Sequence, residues 1–220
     1  RTVFLKLVET ADVVVENYRP DVKDRLGIGY EALRAVNPRI ILASVSGFGQ
    51  TGPYRTRAGF DQIAQGMGGL MAITGHPGEG PMRAGIAVAD SAAGVYAATG
   101  ILVALAEREK SGEGQWVQTS LLQAMIAMCD FQAAVYTVEG KVPPQNGNDH
   151  PHSTPMGVLP TADGYINVGV GGEGQWKSFC TAIGRDDLAD HPDYAEAKLR
   201  FKNRPALMGL LGDLFRTQST

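Results

Sequence analysis

The chain has 220 residues, 44% hydrophobic and 20% charged, with a net charge of −3, enough for one sizeable core or for one domain and part of another. The slightly acidic balance argues against a general nucleic-acid surface, and no apolar run reads as long enough to span a membrane. No signal-peptide pattern opens the chain, and its two cysteines, Cys129 and Cys180, sit in apolar helical surroundings that suit buried free thiols of a cytosolic protein.

Residues 1–9 read as a helix already under way, and residues 210–216 as a helix cut short, so a piece of a longer protein is expected. Residues 11–17 hold the β-branched run of a buried parallel strand. Tyr18-Arg19-Pro20 turns the chain. A short helix follows over 21–26, stopped by Gly27, and a second over 30–36, closed by Asn37-Pro38. The apolar run from Ile40 to Val45 is a second buried strand. Strand, helices and strand in this order make a βαβ unit and imply a parallel sheet. Ligands of such sheets sit beyond the carboxyl ends of the strands. That rule nominates residues 16–19 and 46–50.

A loop rich in glycine, proline and arginine spans 51–59. A short helical piece opens at 60–65 and is broken by Gly66, Gly68 and Gly69. Residues 83–90 read as a short approach strand ending at Asp90. A long helix then shows apolar spacing at Val95, Ala98, Ile101, Leu102 and Leu105, with Gly112 where a C-cap belongs. Residues 115–119 alternate like an edge or half-buried strand. Leu122, Met125, Ile126, Cys129, Ala133 and Tyr136 mark one buried helix.

Composition shifts at Glu139-Gly140 into a proline- and asparagine-rich stretch. The expected organisation is a domain portion over 1–138, a linker over 139–153 and a second, truncated portion over 154–220. His150 and His152 lack a third ligand and read as loop residues, so no metal site is expected. Residues 161–164 suit a hairpin turn, 165–170 a strand, 175–183 a helix, and 194–214 a helical tail. Gly169, Gly171 and Gly174 match the outline of a dinucleotide-binding turn. The strand before them leaves a hairpin, however, and no second strand ending in an acid follows, so a plain glycine-rich turn is the better account.

Asp90 carries two readings. As an N-cap it only accepts a hydrogen bond from the first helical turn. As a nucleophile it is kept ionised by the helix N-terminus, with room among Ala92, Ala93 and Gly94 for an acyl group, and attacks a thioester. Local chemistry does not choose between them.

Five segments in this order resemble the family III CoA-transferases of the formyl-CoA and carnitine-CoA transferase type. They are residues 11–20, 37–49 and 59–65, Ala89-Asp90-Ser-Ala-Ala-Gly94, and Gly112-Glu-Gly-Gln115. The resemblance runs essentially end to end and matches the middle portion of longer relatives. It implies an α/β fold: a Rossmann-like parallel-sheet large domain, a smaller α+β domain, and two chains interlocked as a homodimer. It also implies that Asp90 is the nucleophile, forming an acyl-aspartyl anhydride and then an aspartyl-CoA thioester, with backbone N–H groups near the helix start as oxyanion donors.

The resemblance assigns coenzyme A or acyl-CoA contacts to Asn17, Tyr18, Arg19 and Arg25. Arg57 stands beside the position where relatives have a further contact, which here is Ala58, and Asp61 matches an acidic position near the active site. As plain surface chemistry, Arg19 and Arg25 read as solvated charges and Asp61 as a helix N-cap. The implied substrates are an acyl-CoA and a free carboxylic acid, in the cytoplasm, without metal, NAD, nucleic acid or membrane. The main alternative is an α-methylacyl-CoA racemase on the same fold. Racemases place a histidine before the aspartate in the segment matching 59–61; here Phe60 stands there and transfers no proton. An oxidoreductase using the glycine triplet and a non-catalytic CoA-binding protein are the alternatives from other classes.

Overall fold

The computed structural model describes residues 1–220. The chain divides into two compact units, one formed by residues 1–74 and 79–145, the other by 75–78 and 146–220.

The first unit opens with α1 (Thr2–Val8), β1 (Val13–Glu16), α2 (Pro20–Leu26), α3 (Tyr30–Val36) and β2 (Ile41–Ser46). Proline at the first position of α2 and left-handed Gly27 at its end fix that helix, as expected from the residue types. The chain continues through α4 (Asp61–Met67), α5 (Leu70–Ile73) and α6 (Val88–Ser111), then β3 (Trp116–Ser120), α7 (Leu121–Met128) and α8 (Asp130–Glu139). The sheet is parallel, in the order β1-β2-β3.

Central β2 is the buried strand: Ile41, Leu42 and Ala43 have no exposed surface. β1 is less covered than a buried strand, with Val15 63% exposed at the sheet edge. Helix α6 packs on β2, β3, α4 and α7. Gly100 allows the approach to β3, since a Cβ there would meet Val117 Cγ1 at 2.6 Å. At the far end of α6, buried Arg108 donates to the Asp12 and Arg39 carbonyls and pairs with the Asp12 carboxylate at 2.8 Å. It thereby ties the helix to the chain entering β1 and β2.

Three readings from sequence are corrected here. Residues 83–87 form no strand. Their backbone bonds to the side chain of Gln65 instead, which accepts from Ala84 N–H at 2.9 Å and donates to the Ile86 carbonyl at 3.2 Å. The helix over 122–136 is two helices, bent by 86° where Asp130 takes a positive φ of 47°, and α8 buries none of its residues. Helix α6 is long and apolar enough to cross a membrane by length and composition, so the chain does contain such a run; here its Ala89, Ala92 and Ala93 join the core of the unit.

The second unit pairs β4 (Met156–Pro160) with β5 (Tyr165–Gly169) as an antiparallel hairpin. There follow α9 (Glu173–Ala182), a 3-10 turn (Asp186–Leu188), α10 (Ala197–Lys202) and α11 (Arg204–Phe215). The helical tail is thus broken at Asn203. Trp176, Cys180, Leu188, Leu207 and Leu211 centre its core. Arg200 is buried beside Trp176 and donates to the Thr154, Tyr194 and Ala195 carbonyls and to Glu173. The glycine triplet follows a strand of an antiparallel hairpin, so the crossover needed for a dinucleotide turn is missing.

Candidate active site

A cavity of about 480 Å³ opens at the carboxyl ends of the parallel strands. Asn17 follows β1, Val45, Ser46 and Gly47 close β2, and Leu121 follows β3; Phe60 and Asp61 at the start of α4 and Asp90 and Gly94 of α6 complete the wall. This is the location that the carboxyl-end rule nominates.

Two glycines close one side. A Cβ on Gly47 would stand 2.4 Å from Gly59 Cα, and one on Gly59 2.2 Å from Gly47 Cα. The loop over 51–59 therefore crosses the end of β2 backbone to backbone, which no larger residue permits. Below the β1 end lies a buried polar cluster. Lys23 sits 3.7 Å from Glu16 and donates to Gln50, whose amide reaches Ser46 Oγ. Glu16 in turn accepts from Tyr18 N–H at 2.8 Å, which fixes the turn carrying Asn17. Sequence reading placed Gln50 in the nominated stretch 46–50 but missed Lys23. Its signal is weak, because lysine is ordinary on a surface and only burial reveals it.

Asp90 is not an N-cap. It is the third residue of α6, and the capping is done by Asp61, 29 residues earlier, which accepts from Ala89 N–H at 2.8 Å and Asp90 N–H at 3.4 Å. The other Asp61 oxygen accepts from Gln65 Nε2 at 2.6 Å, and Gln65 is fully buried. Both Asp61 oxygens are thus committed to the protein. Ser91 N–H bonds within the helix to Ala87. The first-turn N–H groups expected to serve as oxyanion donors are consequently already occupied.

No donor or cation reaches the Asp90 carboxylate itself, which is solvent-accessible at the cavity wall. Partial burial, and then the charge of Asp61, push its carboxyl above the ordinary aspartate range. An unpaired, more basic carboxylate is the stronger nucleophile once ionised. The two thiols are poor competitors: burial raises Cys129, and pushes Cys180 up to about 11, so neither supplies a thiolate near neutrality.

Of the residues nominated from sequence, Asn17, Asp61 and Asp90 share this cavity. Tyr18, Arg19, Arg25 and Arg57 do not line it. Tyr18 and Arg19 lie exposed on the turn after β1. Arg25 is exposed and 3.5 Å from Asp21, one helical turn away. Arg57 stacks on Tyr54, 3.9 Å from the ring centre. Phe60, at the position where racemases carry histidine, lines the cavity and is 66% exposed. No cluster of three or more His, Cys, Asp or Glu is arranged to hold a metal ion.

The family model for CoA-transferase family III matches residues 1–220. The chain belongs to that family. A succinate–glutarate CoA-transferase of Agrobacterium fabrum is 44% identical over 90% of this chain and 50% of its own length. A succinyl-CoA–D-citramalate CoA-transferase of Chloroflexus aurantiacus is 39% identical over 94% of this chain and 52% of its own. The chain therefore spans about half the length of these family III relatives. Among solved structures, a CaiB/BaiF family protein from Brucella suis superposes with a TM-score of 0.84 at 38% identity, over 99% of this chain and 58% of that one. The Rossmann-like α/β fold of the family is thus shared by this chain, and the resemblance seen in its motifs holds along its whole length.

Proposed function

We propose that the protein of which this chain is a part moves coenzyme A from an acyl-CoA to a free carboxylic acid, with Asp90 as the covalent nucleophile. The observation that carries this reading is the Asp90 carboxylate, accessible and unpaired at the strand-end cavity. An Asp90 oxygen attacks the thioester carbonyl and coenzyme A leaves as thiolate, giving an acyl-aspartyl anhydride. The thiolate attacks the aspartyl carbonyl and releases the donor acid, leaving an aspartyl-CoA thioester. The acceptor carboxylate attacks that thioester and expels the thiolate again, forming a new anhydride. The thiolate then takes the acceptor acyl group and frees Asp90.

Asn17, Tyr18, Arg19, Arg25 and Arg57 are the proposed coenzyme A contacts, the arginines meeting its phosphates. Arg25 exchanges its exposed Asp21 partner for phosphate at little cost. Asp61 holds the nucleophile's helix rather than the coenzyme. Relatives named for succinate, glutarate and citramalate support short dicarboxylic acids as the exchanged acids. We further propose a soluble, cytoplasmic, interlocked homodimer that needs neither metal nor NAD.

Hydroxylamine trapping tests the covalent step. Full-length protein incubated with succinyl-CoA and then hydroxylamine should carry a hydroxamate on the Asp90 peptide. Turnover with that peptide unmodified at every time point contradicts it.

A further inference from the structure

We propose that Gly94 sets how large an acyl group the Asp90 site admits; this rests on the transfer reading above. The two glycines of α6 differ in what surrounds them. Gly100 is required by packing, because its Cβ would strike Val117. Gly94 is not: a Cβ there meets nothing within 4 Å, and its φ is an ordinary helical one. A glycine inside a helix is unfavourable relative to alanine, and nothing in the fold of this unit calls for one at this position.

Its place in the cavity supplies the reason. Gly94 lines the same wall as Asp90 and lies four residues after it, on the same face of α6. Helical Cα–Cβ bonds tilt toward the N-terminus, so a side chain at residue 94 leans back over the turn that carries Asp90. The space over the carboxylate is where an acyl group must sit for attack. A methyl or isopropyl group at residue 94 takes that space from the acyl chain. Glycine there keeps it open for acids longer than acetate.

The test uses full-length enzyme and isotope exchange between each acyl-CoA and its own labelled free acid, from acetyl to adipyl, so that one acyl group is at stake per assay. Gly94→Val should lose at least about tenfold more exchange for the largest acyl group than for the smallest one the unsubstituted enzyme accepts. Gly94→Ala should fall between, with a melting temperature unchanged or higher; it carries the test alone if the valine variant does not fold. Equal loss for all acyl groups, or no loss for any, overturns the proposal. Lack of exchange by the unsubstituted enzyme, or exchange that survives Asp90→Asn, overturns the transfer reading and this one with it.

Discussion

Helices α6 and α9 each carry an acid in the first turn, Asp90 and Glu173, and the two acids have opposite surroundings. Glu173 is fully engaged. One oxygen meets Arg200 at 2.8 Å and the other accepts from Ala197 N–H at 2.9 Å, and these bonds hold its carboxyl below the usual glutamate range. Asp90 has no such partner, its helix start having been satisfied by Asp61, and its carboxyl lies above the usual range. One acid is tied into the fold. The other is relieved of structural duty by a neighbour and left available for chemistry. A residue's position in a helix therefore does not decide its role; the partners that engage its side chain do.

The largest expected effect is on turnover. Asp90→Asn should lower kcat about 10⁴-fold or more, read in a coupled CoA-transfer assay. Its melting temperature should stay level or rise slightly. The sign follows from the raised carboxyl: ionisation costs the folded state something at neutral pH, and that cost disappears below the ordinary aspartate range, where both states are protonated. A clear fall in stability of the asparagine variant at neutral pH would erase the contrast with Glu173.

Arg200→Met should follow, costing the second unit about 1–3 kcal/mol for a buried carbonyl left without its donor. The Thr154, Tyr194 and Ala195 carbonyls would then lose a buried donor. Denaturant unfolding measures it. Gln65→Leu should cost about 1–3 kcal/mol and also lower kcat more than it changes KM, because Asp61 loses its support and the start of α6 loosens. Gln65→Glu is no rescue, since it sets a second carboxylate against Asp61.

The smallest effect belongs to Glu173→Gln. Its side chain is about half exposed, so the ion pair is well screened and the melting temperature should drop by only a few degrees. The contribution of a lowered carboxyl is in place above the ordinary glutamate range and is lost as pH falls through its lowered folded value. The gap between parent and variant should close on acidification.

Much of this was legible in the sequence, for local reasons. The apolar run at Ile41–Ser46, the proline and glycine at the two ends of α2, and Gly112 after α6 are read from the residues themselves. The approach strand before Asp90 failed because its backbone partner is Gln65, a side chain on another helix. The break at Asp130 was hidden by apolar spacing that continues across it. The cap from Asp61 and the crossing of Gly47 with Gly59 are contacts between distant segments, which no window of sequence displays. Asp61 was found through resemblance, yet its work is to release Asp90 from capping, which only the folded geometry reveals.

The central claim is that Asp90 becomes part of the substrate's path. The most direct measurement supplies the full-length enzyme with succinyl-CoA and an acceptor acid whose carboxylate carries heavy oxygen. In the proposed sequence the acceptor's attacking oxygen bridges the second anhydride and stays on Asp90 when the thiolate removes the acyl group. After one turnover the Asp90 peptide should have gained one heavy oxygen. A peptide that remains unlabelled while labelled acid is converted to acyl-CoA would contradict the account.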